Sequence, residues 1–469
     1  MRRRIGVKLR LYKNGSLWQD KVNTPNRAKG NLMKTITQVA KAIQTILGPV
    51  SDQMGLETGF NQRQSKVTGS KFMQMLVFGS LENPDLSYSD LVSAAKNVGV
   101  VITKQGLEQR FSERSADLAR RVLELAVQQV ISTEALAVPL LERFSGVYIR
   151  DSSVISLPKG LEKIWPGCST SAGSNAALKL HVRLELCQGQ LAGPILAAGR
   201  EHDSDSPFQS EALPKGAVRI GDLAYFSLNQ FAADTQQGIG WVSRFKTGTC
   251  IYTPEGEPIN LLAWLRQQPA SQAERPILLG KTQRLACRLL VEHLPPAAIE
   301  QRKRKLREYA RKQQTPLTAE LLELAQWTLL LTNISVDQLS IPEALVLVRV
   351  RWQIELLFKR WKSLFKVDEW RSQDIWRILT ELYAKLLGVV VEQWILLTGI
   401  GQVAHPSFWK AALVVRQFAP LLALTLPFRS QLEDVLSLIS RHFRSHCHLD
   451  TRHARPSLYQ LLENLFVQS

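Results

Sequence analysis

The hydrophobic period of this 469-residue chain changes sharply near Gly146, and that change limits what the chain can fold into. Before it, Met33, Ile36, Val39, Ala40, Ile43, Ile46 and Leu47 recur at helical spacing. A polar stretch from Gly55 to Ser70 reads as an extended loop, and helical periodicity then runs from Phe72 to about Leu141. After it, Gly146-Val-Tyr-Ile-Arg-Asp151 is a short β-rich run ending on an acid. Ala177 to Leu186 alternates apolar and polar residues, the pattern of a half-buried strand, and Gln188-Gly-Gln190 turns it back through Leu191 to Ala198. A helix is expected around Phe208 to Leu213, a second buried strand over Ala217-Val-Arg-Ile-Gly-Asp222, and a helix from Phe226 to Gln236. Strand, hairpin, helix, strand, helix opens a mixed α/β domain.

Strand candidates recur at Trp241–Phe245, Ile277–Leu279, Cys287–Val291 and Trp327–Asn333. Between the last two lies Glu300 to Lys312, with seven Lys or Arg residues. From Pro342 to Phe365 one long amphipathic helix is expected, and the remainder is helical. There is no internal repeat and no low-complexity tail.

Charge narrows the partners. Lys and Arg total 59 against 41 Asp and Glu, a net +18, which favours a polyanion: nucleic acid or an anionic membrane. The basic start, Met1 to Lys8, lacks the apolar run of a secretory signal, and Leu386 to Ile400 carries Glu392 and Gln393 and is too short to span a bilayer. Five scattered cysteines (Cys168, Cys187, Cys250, Cys287, Cys447) form no C-x-x-C pair, which argues against a disulfide scaffold or a structural zinc. The expectation is a cytoplasmic, reduced protein without a membrane partner.

The helix around Arg351 carries the strongest chemical signal. At ~100° per residue, with Arg351 at zero, Glu355 lies near ~40°, Lys359 near ~80° and Lys362 near ~20°. Leu347, Val350, Ile354, Leu357, Phe358, Trp361 and Phe365 gather on a separate apolar face. On spacing alone the charged stripe fits a solvated i,i+4 salt-bridge ladder. Asp151 and Asp222 open the other reading, because each ends a short apolar strand, where open α/β sheets place their sites. Taken singly, either Asp could simply cap a turn. Three carboxylates from two strands and a helix could hold two divalent metals, activating a water and stabilising the leaving oxygen of a phosphodiester. The rival acids in His202-Asp-Ser-Asp205 read as loop residues, since no buried strand leads directly into them.

Asp151 after Val-Tyr-Ile-Arg, Asp222 in Arg-Ile-Gly-Asp-Leu-Ala-Tyr-Phe, and Arg351-Trp-x2-Glu355-x6-Lys362 resemble the DDE transposases of the insertion-sequence-four family, with its Y-x2-R-x3-E-x6-K signature. The resemblance covers nearly the whole chain. It departs at one position: Val348 stands where the family has the Tyr that contacts the DNA end.

The resemblance implies an α/β fold with a ribonuclease-H-like core interrupted by a β-strand insertion. Residues 1–145 would be a helical DNA-binding domain, 146–240 and 341–400 the two parts of the core, 241–340 the insertion, and 401–469 a helical C-terminal region open to dimerisation. It implies cut-and-paste transposition, through a hairpin on the transposon end, with Asp151, Asp222 and Glu355 ligating two Mg²⁺ or Mn²⁺ ions. Arg351, Lys359 and Lys362 would contact phosphates at the cleaved end, Trp352 would pack near the hairpin, and Trp327 would stack on a flipped base. The bland alternative for Trp327 is a core aromatic opening a buried strand. The implied partners are double-stranded DNA, at terminal inverted repeats and target, and a second copy of the chain. A catalytically impaired DNA-binding descendant is the main alternative, and a nuclease that never joins strands is another.

Two segments remain ambiguous. Ser87 to Asn97, a turn at Gly99, and Lys104 to Phe111 read as helix-turn-helix with Thr103 as N-cap, exposing Lys104, Gln105, Glu108, Gln109 and Arg110 to base edges and phosphates. The same pattern serves in any helical domain. Arg302 to Lys312 fits a DNA-tracking segment or a solvated helix equally. His442, His446, His448 and His453 cluster around Cys447, but with Arg441, Arg444, Arg452 and Arg455 interleaved they read as a basic surface segment.

Overall fold

A computed structural model describes residues 25–131, 138–168, 176–403 and 405–449. Its helices are α1 (Pro25–Thr45), α2 (Ser51–Glu57), α3 (Gly69–Glu82), α4 (Tyr88–Asn97), α5 (Lys104–Glu108), α6 (Glu113–Ala126) and α7 (Pro139–Glu142) before the first strand. Polar N-caps set where these begin. Thr68 accepts from Lys71 N–H, Ser87 and Asp90 form a reciprocal capping box, Thr103 accepts from Gly106 N–H, and Ser112 pairs with Ser115. The polar stretch read as a loop from Gly55 is partly helical, because α2 runs through it to Glu57. Gly69 packs on that helix so closely that a Cβ there would collide with the Ser51 carbonyl oxygen.

Among the described residues nine strands then form one sheet, ordered β3-β2-β1-β4-β5-β9-β8-β7-β6. They are β1 (Val147–Leu157), β2 (Ala176–Glu185), β3 (Gln190–Ala198), β4 (Val218–Ile220), β5 (Gly240–Arg244), β6 (Ile251–Tyr252), β7 (Gln272–Leu279), β8 (Leu285–His293) and β9 (Trp327–Thr332). The hairpin β1–β2–β3 is antiparallel, whereas β1, β4 and β5 run parallel. β5 pairs antiparallel with β9, so the later strands extend the first sheet without a break. The remaining helices are α8 (Leu228–Gln236), α9 (Leu261–Arg266), α10 (Pro296–Gln313), α11 (Ala319–Leu324), α12 (Ile341–Val350), α13 (Trp352–Leu364), α14 (Ile375–Leu396), α15 (Phe408–Thr425) and α16 (Arg429–His446).

Strand alternation separates two main cores among the described residues, beside a small cluster of Leu213, Ala217 and Ile239. Val242, Leu290 and Leu330 face a large core, while Trp241, Leu289, Val291 and Leu331 on the same strands face a smaller one beneath the later strands. The large core runs from Ile36 through the sheet to Cys447 and is centred on α14, every residue of which from Arg377 to Leu396 is buried. The N-terminal and C-terminal helices therefore share one interior with the sheet. A hydrogen bond between the Ser115 and Thr380 hydroxyls, and one from Gln44 Nε2 to the Leu426 carbonyl, fasten them to one another. No helix of the described residues is long and apolar enough to cross a membrane.

Three local expectations are corrected. Asp151 does not end its strand, for β1 continues to Leu157 because β2 pairs with its whole length. Residues 208–213 form no helix; their carbonyls accept instead from the buried guanidinium groups of Arg150 and Arg219. The long helix expected from Pro342 is two, broken at Arg351, where Ile354 N–H bonds back three residues to the Arg351 carbonyl.

Candidate active site

The sheet register builds the site. Ile149 on β1 pairs with Ile220 on β4, and Ile220 with Val242 on β5. Each of these residues is followed two positions on by a charged one: Asp151 within β1, Asp222 just past the end of β4 and Arg244 at the end of β5. β4 ends at Ile220, so beyond that point β1 has no neighbour on its β4 side. Asp151 faces the resulting crevice. Asp222 caps the 3₁₀ turn Leu223–Tyr225 and accepts from Leu223 N–H at 2.8 Å. α13 packs into the large core through Ile354, Leu357, Phe358 and Trp361, which brings Glu355 over β1.

Arg351 stands between the carboxylates. Its Nη1 lies 3.4 Å from Asp151 Oδ2 and its Nη2 pairs with Glu355. Asp151 is 20% exposed and its pKa is pushed up to about 6. Burial is the main cause, with repulsion from Asp222 and Glu355 adding to it against the Ser152 N–H and Arg351. Three separate elements thus place their carboxylates within electrostatic reach of one another. Among the described residues, no three His, Cys, Asp or Glu side chains stand close enough to hold one ion. The donor set nevertheless suits a hard dication: three carboxylates, no thiol or imidazole, and an accumulated negative charge that a single guanidinium now offsets.

The raised pKa has a measurable consequence. The folded value of about 6 exceeds the unfolded value near 3.9, so stability falls as pH rises between them. The full cost, roughly 3 kcal/mol as an upper figure, applies above pH 6. Asp151→Asn should therefore raise the unfolding free energy of the metal-free protein at pH 8 and change it little at pH 4. Denaturant melts at the two pH values check this, and a variant less stable at pH 8 contradicts it.

The remaining basic and aromatic residues divide by what they touch. Lys362 reaches β1 and donates to the Val154 carbonyl at 3.1 Å, while Lys359 is exposed and has no acidic partner among the described residues. Trp352 is 56% exposed beside Arg351. Trp327 is half-buried against His293, edge to face at 4.8 Å, three residues before the Leu330 that pairs with Arg244. Val348 packs against the large core.

In the N-terminal helices, Lys104, Gln105, Glu108 and Gln109 are exposed on and just after the short α5. Arg110 turns inward, donating to Ser65 Oγ at 2.8 Å with its guanidinium over the Phe60 ring. His442 lies between the Phe418 and His446 rings. Arg452, His453 and Arg455 lie outside the described residues, as do the basic residues at the N-terminus.

Two neighbours of the site escaped the sequence reading. Asp203, ranked as a loop residue, accepts from Ser152 Oγ at 2.6 Å and pairs with Lys179 Nζ at 3.1 Å, directly behind Asp151. Burial would raise its pKa, but the hydroxyl and the ammonium outweigh it and hold the carboxyl low. Arg244 is the other, at the end of β5 opposite Leu330 of β9. The acid-rich His202–Asp205 run was a usable signal for the first; nothing local marked the second.

An α/β protein with acids at a parallel-strand crevice, a helix-borne glutamate across from them and a strand insertion between defines a narrow class. Comparison with known proteins places it further: a family model described as a transposase DDE domain matches residues 142–390, more than half of the chain. The chain belongs to the DDE transposase family. It is 28% identical over 361 residues to the transposase for insertion sequence element IS231F of Bacillus thuringiensis subsp. israelensis, covering 72% of this chain and 75% of that one. It is 24% identical over 372 residues to the transposase for insertion sequence element IS1151 of Clostridium perfringens, covering 74% and 78%. A third, for IS231C of Bacillus thuringiensis subsp. berliner, is 24% identical over 362 residues. The insertion-sequence resemblance read from Asp151, Asp222 and the Arg351 helix is borne out.

Proposed function

We propose that the chain binds the terminal inverted repeats of its element and catalyses metal-dependent strand cleavage and strand transfer at a site formed by Asp151, Asp222 and Glu355. The observation that carries this is the convergence of three carboxylates from β1, the end of β4 and α13, close enough for two of them to raise the pKa of the third. The strand order β3-β2-β1-β4-β5 supports a ribonuclease-H-like core of residues 146–240 and 341–400 whose last strand, β5, runs on to Arg244, after which the insertion lengthens the sheet through β6 to β9.

Asp151, Asp222 and Glu355 would hold Mg²⁺ or Mn²⁺, which when bound activates the attacking oxygen and stabilises the leaving one. Arg351 neutralises Asp151 and Glu355 in the resting chain and is placed to pass to a phosphate once a cation takes over that task. Lys359, exposed a turn beyond Glu355, and Lys362, over β1, supply positive charge to the bound strand. Trp327 and Trp352 offer aromatic faces at the rim, and base stacking on such a face is worth about 1–3 kcal/mol. Trp327→Ala should therefore lower cleavage of end DNA about 10- to 100-fold. An unchanged rate in single-turnover assays would return Trp327 to a packing role. Lys104, Gln105 and Gln109 are proposed to read the ends, Arg110 to brace them, and a second copy of the chain to hold the other end.

The test is incubation of the full chain with Mg²⁺ and duplexes carrying the element's terminal repeats. Cleavage followed by joining to a second duplex supports the transposase. Cleavage without joining leaves a nuclease. Specific binding without cleavage supports the impaired descendant, the reading that Val348 in the signature favours.

A further inference from the structure

One strongly basic element stands outside that mechanism. α10 follows β8 immediately, at the edge where His293 pairs with Trp327 and Leu294 N–H donates to the Gln326 carbonyl. Ile299 is its one buried residue among those described. Arg302 bolts its base to β9, Nη1 donating to the Trp327 carbonyl at 2.7 Å and Nη2 reaching Thr328 Oγ1 at 3.4 Å. Burial, and next the neighbouring Arg244, lower the Arg302 pKa, so two guanidinium groups share this corner of the sheet. Past Arg302 the helix is largely solvent-exposed to its end at Gln313, Lys305, Arg307, Tyr309, Arg311 and Lys312 all being exposed.

Its charges are not those of a self-sufficient solvated helix, which alternates sign along a face. Lys303 and Arg304 reach Glu300 and Glu308 only at 3.9 and 4.0 Å, and Lys305, Arg307, Arg311 and Lys312 have no acidic partner among the described residues. Lys303, Arg307 and Arg311 follow one another at i,i+4, each like-charged pair costing a few tenths of a kcal/mol. An opposing polyanion would remove that cost. The exposed part spans ~15 Å at ~1.5 Å per residue, about four base pairs of duplex. A membrane surface fits poorly, since Tyr309 is the one large exposed apolar side chain on the helix.

We propose that α10 is an arm that grips the phosphate backbone of duplex DNA flanking the bond to be cut, without reading its sequence. The arm rests on the DNA-transposase reading. Arg302 roots it on the strand that opens with Trp327, two strands from Asp222 on the same edge of the sheet. It therefore meets DNA beside the carboxylates and not over them.

The test uses the full chain, no divalent metal, and a 30-base-pair duplex of arbitrary sequence titrated at several salt concentrations. A variant with Lys305→Gln, Arg307→Gln, Arg311→Gln and Lys312→Gln should bind more weakly. Its slope of log affinity against log salt should be shallower by about 0.9 for each phosphate left without its cation, some 2–4 in all. An unchanged slope overturns the arm while leaving the transposase reading intact, whereas no duplex binding by the unmodified chain at any salt overturns that reading itself. Should the fourfold variant fail to fold, Glu308→Gln must tighten duplex binding, and unchanged or weaker binding overturns the arm. Phosphatidylserine vesicles or single-stranded RNA, if bound more tightly than duplex through the same four residues, overturn it too.

Discussion

Glu355→Gln should lower single-turnover cleavage of end DNA by at least ~10³-fold, about 4 kcal/mol of transition-state stabilisation, with binding of the uncut end kept within about threefold. The side chain lies one helical turn after Arg351, pairs with it, and is near enough to Asp151 to help raise that carboxyl's pKa. An amide of the same size still accepts from Arg351, so the helix and its packing through Ile354 and Leu357 are untouched. What disappears is the third negative charge of a donor set suited to hard cations. The separation of effects is the diagnostic: cleavage collapses while affinity and melting temperature hold. A variant that cuts at more than a tenth of the normal rate would remove Glu355 from the site. Asp151→Asn should show the same fall in cleavage together with a gain in stability at pH 8, which a merely structural acid would not combine.

Arg360→Ala should cost about 3–5 kcal/mol of stability, the usual penalty for stranding one member of a buried ion pair. Arg360 Nη2 lies 3.5 Å from Glu392 Oε2, with 7% and 0% of the two side chains exposed, and its guanidinium also covers the Phe408 ring at 5.6 Å. It fastens the helix bearing Glu355 to the buried α14 and to α15. Burial raises the pKa of Glu392, so in the variant this carboxyl takes up a proton more readily and the penalty should shrink as pH falls. Arg360→Met combined with Glu392→Leu should recover most of the stability, because matched apolar replacements of a buried pair are often neutral or stabilising. Denaturant melts of the three variants at pH 5 and pH 8 test this. A single variant within 1 kcal/mol of the parent would mean that the pair contributes nothing net.

Much of the architecture follows from local periodicity. The two-residue alternation of Ala177 to Leu186 became β2, the helical recurrence from Met33 to Leu47 became α1, and Thr103 caps α5 as its position suggested. Failures arose where partners distant in sequence decide the outcome. Residues 208–213 are apolar enough for a helix, yet their carbonyls are taken by Arg150 and Arg219 from other strands. β1 outruns its apolar stretch through Ser152 and Ser153 because β2 supplies a full-length ladder.

The candidate acids show the same division. Asp151, Asp222 and Glu355 could be named from the sequence because each belongs to a recognisable local pattern, a strand run or a helix stripe. Side-chain chemistry and short-range period are properties of neighbouring residues, so the sequence alone carried them. It determined a strongly basic α/β chain of the DDE transposase family, with its acids set among those basic residues. That β1 and β4 run parallel, with Ile149 beside Ile220 and an acid two residues beyond each, was decided by strand pairing. So were the positions of Arg244, the Asp203–Ser152–Lys179 cluster and Arg351 between two carboxylates. These rest on contacts between residues remote along the chain, and such contacts exist only once the whole sheet and the buried α14 have assembled.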